Sequence, residues 1–505
     1  MGLSTGHLGV ADVAPLACAA RRWPLAALFA FSIAIAPVAL AGAPDAATLA
    51  GIARLIDDGR FEAATARIES LLAANDLASD ARRSLEFERE RMRRIRLDFP
   101  HDRASVAAQL RTQAPDLTDA EVDAWEKAGW LEHQVIDGQR CYFDRAATNA
   151  FRVSPAALAR RDPKLGPFRE GPYERLNAQH AAIRDAARDS GANSVAPRRL
   201  RITQSLTVEP DAVPAGETVR AWIPYPRAIA GQQEQIRYLT SAPESHRIAP
   251  ETALQRTVYL EQPARAGKPT KFSVTYEVTI HARYHAIDAA KVQSPATTPD
   301  LAPFLAERAP HIVFTPALRE FSRRAVGDAK QPYEVAKRLF DAVDRLPWAG
   351  AREYSTLTNI PDHLLGKGYG DCGQQTLLLM TLLRLNGIPS RWQSGWVFSD
   401  GDYANLHDWG ALYLAPYGWV PMDVTTGRLE SDDPALAYFY LGGLDAYRIA
   451  FNDDWGRDFV PPKKHFRSDT VDSQRGEAEW DGGNLYFDQW DYEFDWQLLP
   501  IPKRA

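Results

Sequence analysis

Residues 372–385 constrain the fold of this chain more than any other segment. The stretch is apolar nearly all round, with leucine or methionine at many positions, such as Leu378 and Met380. Glycine-rich residues 368–373 overlap its start and an Asn-Gly pair ends it, which is typical of a helix. Because a helix without a polar face has to be covered on all sides, we expect it to form the buried centre of its domain.

Other elements surround this helix in a fixed order. From about Ala302 the spacing of apolar residues is helical, and the segments 391–398, 407–414 and 419–424 after the helix are strand-like. Helices followed by strands predict an α+β domain rather than repeated βαβ units. We assign this domain to residues 300–435.

The spacing of apolar residues divides the rest of the chain into regions. Residues 45–195 show mainly helical spacing, interrupted by a predicted β-hairpin at 131–143. Between 198 and 290 the period changes to two, with turn residues between short segments, which predicts an antiparallel β-sandwich. Residues 436–505 are rich in aromatic side chains, and we expect them to pack on the α+β domain as an extension. The sequence therefore predicts a multidomain α+β protein.

Residues 1–41 have the pattern of a secretory signal peptide. Arg21 and Arg22 precede an uncharged apolar run, and small residues at 39–41 suit cleavage near Ala41. A retained membrane anchor is the alternative, because a run of about 18 residues reaches the lower limit for spanning a bilayer. Cleavage predicts a periplasmic or secreted protein with no membrane span.

The charge balance excludes several classes of partner. The 505 residues contain 59 Lys and Arg against 65 Asp and Glu. The formal net charge of −6 gives no positive field that would attract nucleic acid.

The sequence has no motif for a metal or a phosphate group. The chain has neither a His-Glu-x-x-His pair nor a Gly-Lys-Ser/Thr phosphate loop, and the acidic clusters at 432–433 and 452–454 are typical of solvated loops. We expect no metal and no cofactor.

Three cysteines are too few for a disulfide scaffold. Cys18 lies in the leader, whereas Cys141, beside Tyr142 and Phe143 in the predicted hairpin, has the surroundings of a packed apolar residue. Cys372 follows the glycines at the first turn of the apolar helix. A disulfide between Cys141 and Cys372 is an alternative that requires Cα atoms within about 7 Å of each other.

The position of Cys372 predicts a nucleophile. Unpaired backbone N–H groups at the first turn of a helix favour the thiolate over the thiol, and they also offer donors to an oxyanion. A thiolate mechanism needs a base, and the base needs an orienting carboxylate. His407 opens one strand-like segment and Asp423 closes the next, so we expect them to meet at one rim of a sheet, facing the helix of Cys372.

Four segments together resemble the core of the transglutaminase-like superfamily. They are Gly-Asp-Cys-Gly at 370–373, Leu-Arg-Leu-Asn-Gly-Ile-Pro-Ser-Arg at 383–391, His-Asp-Trp at 407–409 and Gly-Trp-Val-Pro-Met-Asp at 418–423. The resemblance spans residues 310–430 and implies a papain-like fold with a Cys-His-Asp triad. It makes Cys372 the nucleophile, His407 the general base and acid, and Asp423 the orienting group.

The resemblance extends to the tail and to further candidate site residues. Segments similar to the C-terminal extension of exported bacterial members lie at 438–445, 461–463 and 479–487. In this superfamily a side-chain oxyanion donor precedes the nucleophile, which makes Trp348 and Tyr354 candidates. Gly373, next to the nucleophile, and Trp409, two residues after the histidine, are candidates for positioning the substrate.

The resemblance implies a thiol enzyme that acts through a thioester on an amide of a peptide or protein. Water as the acceptor makes it a peptidase or amidase, and an amine makes it a cross-linking transferase. We expect hydrolysis, because nothing in the sequence indicates a domain that would keep water from the thioester. The alternative from another class is a non-catalytic envelope scaffold that binds partners. The sequence indicates no oligomeric state.

Overall fold

A computed structural model describes residues 46–74, 77–169, 171, 173–296 and 298–501. The predicted signal peptide and Cys18 lie outside these residues. No helix within the described ranges is both long and apolar enough to cross a membrane.

Helices dominate the first part of the described chain, as the apolar spacing predicts. They are α1 (Ala46–Asp57), α2 (Phe61–Leu72), α3 (Ser79–Asp98), α4 (Arg103–Gln113), α5 (Asp119–Lys127), α6 (Ala146–Val153), α7 (Pro155–Leu158) and α8 (Ala178–Ser190). A capping box begins α5, where Thr118 and Glu121 each accept from the other's backbone N–H. These bonds satisfy donors that a helix start leaves unpaired. Buried side chains such as Ile56, Phe61 and Ile68 give this part its own hydrophobic core.

A short hairpin interrupts these helices at the predicted place. β1 (His133–Ile136) and β2 (Gln139–Tyr142) pair in antiparallel register. Cys141 lies half-buried on β2 and packs against the helical core. Cys141 and Cys372 are both free thiols, so the disulfide alternative is wrong.

Two five-stranded sheets follow. Most of their strands are β3 (Ser194–Val208), β4 (Thr218–Pro224), β5 (Gln233–Ala242), β6 (His246–Ile248), β7 (Thr257–Pro263) and β8 (Thr270–Tyr284). Buried side chains from both sheets, among them Ile202, Val274 and Leu260, share one core. The rings of Tyr225 and Tyr276 meet at 5.1 Å between centroids. Alternating burial along antiparallel strands gives the arrangement of a β-sandwich.

The C-terminal segment completes these two sheets. β14 (Glu477–Trp480) pairs with β4 and with β15 (Gly483–Leu485), and β16 (Trp490–Leu499) runs antiparallel to β3. The expectation that residues 436–505 only pack on the α+β domain is therefore incomplete, because four of their strands belong to the sandwich. The fourth is the two-residue strand β12 (Gly443–Leu444), which pairs with β8. The aromatic side chains do also reach the α+β domain, where Phe494 stacks on Trp396 at 3.8 Å.

Apart from one short helix, the α+β domain has its helices first and its strands after them. The helices are α9 (Pro316–Val326), α10 (Pro332–Asp344), α11 (Ile360–Lys367), α12 (Cys372–Leu385) and the short α13 (Pro434–Ala437). The strands are β9 (Ser390–Phe398), β10 (Ala404–Leu414), β11 (Gly418–Met422) and β13 (Arg448–Asn452), in the antiparallel sheet order β11-β10-β9-β13. A two-residue strand, β12 (Gly443–Leu444), pairs with β8 and so joins this domain to the sandwich.

The apolar helix α12 is the centre of this domain, as its sequence predicts. Every residue from Gly373 to Arg384 is buried, in contact with α9, α10, α11, β9 and β10. Arg384, the single cation of the helix, donates to the main-chain oxygens of Ser390 and Ala306, so its charge is not left without partners. A helix enclosed in this way fixes the place of its first residue, Cys372, relative to the sheet.

Candidate active site

The side chains of β10 point to two faces of the sheet, and α12 covers one of them. Ser390 on β9 donates from its hydroxyl to the main-chain oxygen of Met380 on α12, and it lies opposite Leu412 of β10. Because alternate residues of a strand share a face, Leu412 and Asp408 point towards α12. His407 points to the other face.

The thiol of Cys372 accordingly contacts Asp408. Its Sγ donates to Asp408 Oδ2 over 3.1 Å, and no hydrogen bond joins Cys372 to His407 within the described part of the chain. The structure therefore brings together only two members of the predicted triad. The expectation that His407 faces the helix of Cys372 is wrong, because a step of one residue along a strand reverses the face of a side chain.

His407 and Asp423 meet as the sequence predicts. The Nε2 atom of His407 lies 2.8 Å from Asp423 Oδ2. Asp423 directly follows β11, and it also accepts from the Thr426 hydroxyl over 2.7 Å and from the backbone N–H groups of Thr425 and Thr426 over 3.1 Å. With Nε2 turned to Asp423, the Nδ1 atom of His407 has no hydrogen bond to any described residue. The carboxylate thus holds the ring in one orientation.

A buried arginine keeps Asp423 ionised. The Arg448 guanidinium contacts Asp423 and donates to Asp445 Oδ2 over 2.9 Å, and all three side chains are fully buried. Burial alone would raise the pKa of Asp423, but His407 and Arg448 hold this pKa well below its usual range. Sequence reasoning missed Arg448, because it lies 25 residues after Asp423 on another strand and belongs to none of the motifs.

The thiol lies in acidic surroundings. Burial, together with the carboxyl groups of Asp408 and Asp371, raises the pKa of Cys372 well above its usual range. The start of α12 acts in the opposite direction. Burial and the two carboxyl groups therefore oppose the thiolate that the sequence leads us to expect at this position.

Asp408 and Asp371 share a hydrogen-bond network with two other residues. The Tyr354 hydroxyl donates to Asp371 Oδ1 over 2.8 Å and lies 3.5 Å from Asp408 Oδ2. The side-chain amide of Gln474 donates over 2.8 Å both to Asp408 Oδ1 and to the main-chain oxygen of His407. Gln474 lies between β13 and β14, so the C-terminal segment takes part in the site. Neither Asp408 nor Gln474 was a sequence candidate, although Asp408 adjoins the predicted histidine.

The two tryptophan candidates lie beside the site. Trp348 pairs through its main chain with the loop before Cys372, and its ring faces the Arg152 guanidinium at 4.5 Å. Trp409 is fully buried and stacks on His407 with 6.0 Å between ring centroids, on the face away from α12. Trp348 therefore supports the loop that carries the nucleophile, and Trp409 supports the histidine.

Gly373 allows Tyr354 to approach the nucleophile. A Cβ atom at this position would lie 2.0 Å from the Tyr354 hydroxyl oxygen and 2.8 Å from Asp408 Oδ2. Replacing Gly373 by alanine is therefore expected to lower the free energy of unfolding by about 1–3 kcal/mol, as overpacking does, in urea denaturation. The matched control is Gly366→Ala on α11, where an added Cβ meets no atom within 4 Å and no loss is expected. Equal effects of the two substitutions would contradict this close approach.

Comparison with known families agrees with the sequence motifs. Residues 319–424 match the family model described as the transglutaminase-like superfamily. The chain therefore carries a domain of the transglutaminase-like superfamily, which confirms the resemblance. The matched segment contains Cys372, His407 and Asp423.

Two solved structures are similar to the chain at low identity. A candidate cysteine protease from Cytophaga hutchinsonii is 12% identical over 62% of this chain and 94% of its own, with a TM-score of 0.40. A candidate protease from Parabacteroides distasonis is 10% identical over 46% of this chain and 67% of its own, with a TM-score of 0.17. A comparison with curated proteins gives no match.

Proposed function

We propose that this protein is a thiol enzyme that hydrolyses an amide of a peptide or protein through a thioester on Cys372. One arrangement carries the proposal. The free thiol of Cys372, at the start of the buried helix, donates to Asp408. The neighbouring residue, His407, is held by the ionised Asp423. A thiol near a histidine–carboxylate pair has the groups that nucleophilic catalysis requires.

Each group has a proposed role in the reaction. Cys372 attacks the carbonyl carbon, and backbone N–H groups at the start of α12, with the Tyr354 hydroxyl, stabilise the oxyanion. His407 takes the proton of the thiol as the sulfur attacks and gives it to the departing amine. It then takes a proton from the attacking water and returns it to the sulfur when the S–C bond breaks. Asp423 orients the ring of His407, and the unbonded Nδ1 atom of His407 is the one left for the substrate. We place Trp348, Gly373 and Trp409 in positioning roles.

Water is the proposed acceptor of the acyl group, with transfer to an amine as the alternative. The test incubates the full chain with a glutamine-containing peptide library, with and without an excess of a primary alkylamine, and analyses the products by mass spectrometry. Hydrolysis predicts new carboxyl groups in both mixtures and no products with Cys372→Ala. Predominant incorporation of the amine would instead make the protein a transferase. A location outside the cytoplasm is proposed from the pattern of residues 1–41 alone.

A non-catalytic scaffold is the second candidate. It is favoured by the acidic surroundings of the thiol and by the missing hydrogen bond between Cys372 and His407 in the described structure. This candidate predicts that the peptide library is left unchanged by the wild-type protein. It also predicts that Cys372→Ala retains every protein partner captured by the wild type.

A further inference from the structure

We infer that Lys463 and Asn484 form an amide bond between their side chains, with Glu477 as the proton acceptor for the lysine. All three residues lie in the C-terminal segment, outside the candidate active site, and the bond does not depend on the proposed function. The Nζ atom of Lys463 lies 2.5 Å from Asn484 Oδ1 and 2.6 Å from Glu477 Oε2. An amine that faces an amide carbonyl and has a general base beside it has the groups that this reaction requires.

The sheet that contains β4, β14 and β15 brings the three side chains together. Asn484 on β15 lies opposite Glu479 of β14, and Glu477 shares their face because it lies two residues before Glu479. The chain reaches this face at Pro461, whose main-chain oxygen accepts from the Trp222 indole N–H over 2.8 Å. The lysine two residues later is therefore held over the hairpin of β14 and β15.

The amine of Lys463 is within reach of the carbon that it would attack. A carbonyl bond is about 1.23 Å long, so Nζ lies no more than about 3.7 Å from Cγ of Asn484. Reacting atoms in a near-attack arrangement are about 3–3.5 Å apart. The amide is also held in place, because its Nδ2 atom donates to the Ser468 hydroxyl over 3.0 Å. The attack therefore needs only a small movement of the lysine.

Burial makes this lysine a better nucleophile than an exposed one. The side chain of Lys463 is only 4% exposed and that of Glu477 is fully buried. Burial lowers the pKa of Lys463 below its usual value, although Glu477 acts in the opposite direction, so more of the amine is neutral. Lys463 and Arg467 in turn hold the pKa of Glu477 below its usual value, which leaves an ionised carboxylate to take the proton.

The reaction balances without another reactant. The ammonium group of Lys463 gives one proton to Glu477 Oε2, and the freed electron pair on Nζ forms a bond to Cγ of Asn484 while the carbonyl π pair moves to Oδ1. The π bond then re-forms and the bond from Cγ to Nδ2 breaks. Nδ2 takes a second proton from Nζ and leaves as ammonia with the electron pair of that bond. The products are the amide, ammonia and a neutral Glu477, so the net charge does not change.

Peptide mapping of the full-length protein by mass spectrometry tests the bond. Trypsin does not cut after an acylated lysine, so the bond would join peptide 458–464 to peptide 476–503 with the loss of one ammonia. We expect this branched peptide in the digest of the wild-type protein, with fragment ions from both arms. We expect it equally in Cys372→Ala, because the thiol takes no part in the step.

Three substitutions identify the reacting groups, with far-UV circular dichroism to show that each variant is folded. Lys463→Arg keeps a cation beside Glu477 but removes the amine, and Glu477→Gln keeps the size of the side chain but removes the base. Both are expected to lose the branched peptide. The matched control is Lys464→Arg, since Lys464 is 60% exposed and pairs with Asp481 instead. It is expected to retain the branched peptide.

Three results would overturn the inference. Two separate peptides from the wild-type protein, with normal cleavage after Lys463, would show that the bond is absent, and this holds also if Asn484 loses ammonia by closing a succinimide. The branched peptide at the wild-type level in Glu477→Gln would show that Glu477 is not the proton acceptor. Its absence from Cys372→Ala alone would make the bond a product of the active site. Failure of the proposed function looks different, because the branched peptide would then persist in a protein that hydrolyses no amide of the library.

Discussion

Replacing Arg448 by methionine is expected to lower the free energy of unfolding by about 3–5 kcal/mol, because two buried carboxylates lose their cation. Asp423 and Asp445 both contact this guanidinium, and none of the three side chains is accessible to solvent. Methionine keeps much of the volume of the side chain, so the loss reports mainly on charge. Urea denaturation at neutral pH measures it.

The pKa of Asp423 determines how the stability loss in Arg448→Met changes with pH. The depressed pKa of Asp423 contributes stability that is present above the unfolded value of 3.8 and is lost as the pH falls towards the folded value. The difference between Arg448→Met and wild type is therefore expected to shrink on acidification. A difference that grows at low pH would contradict an ionised Asp423 in the folded protein.

An exposed ion pair provides the control. Arg457 is 48% exposed where it meets Asp454, which Arg308 also holds over 2.8 Å. Arg457→Met is expected to change the free energy of unfolding by less than about 1 kcal/mol. A loss of unfolding free energy as large as that of Arg448→Met would mean that burial of the Arg448 network does not add to its effect on stability.

Replacing His407 by alanine is expected to slow amide hydrolysis by about 10²–10⁴-fold, the range that a positioned proton donor supplies. The fold should persist, because Asp423 keeps its bonds to Arg448, Thr425 and Thr426. Steady-state kinetics on a peptide from the library screen measure the effect, which should appear in kcat.

Asn405→Ala is the matched control for this substitution. Asn405 lies two residues earlier on the same face of β10 but is exposed, and its amide oxygen accepts from the Leu406 backbone. It is expected to hydrolyse at the wild-type rate. If His407→Ala does the same, His407 has no part in the reaction.

Consecutive residues of β10 belong to different networks of buried charges. His407 joins a network in which a buried arginine holds two carboxylates, whereas Asp408 faces a thiol among other acids. The strand separates them, since neighbouring side chains point to opposite faces.

The contact between His407 and Asp423 was predictable from the sequence. Two strands joined by a short turn pair in antiparallel register, so residues 16 positions apart can be brought to one edge by local chain geometry. Gln474 and Arg448 were not predictable, because they come from later segments whose places depend on long-range contacts. Asp408 lies within the His-Asp-Trp segment, but its contact with the thiol depended on which face of β10 packs against α12.

The buried helix, the α+β order of its domain and the superfamily follow from apolar period and motif spacing, because these are local properties of the chain. The contribution of the aromatic tail to the sandwich and the contact of the thiol with Asp408, rather than with His407, follow from long-range packing. Both depend on strand pairing and register. A shift of one residue in the register exchanges the faces to which neighbouring side chains point. Since His407 and Asp408 are both polar, the local pattern of apolar residues does not show which of them faces α12.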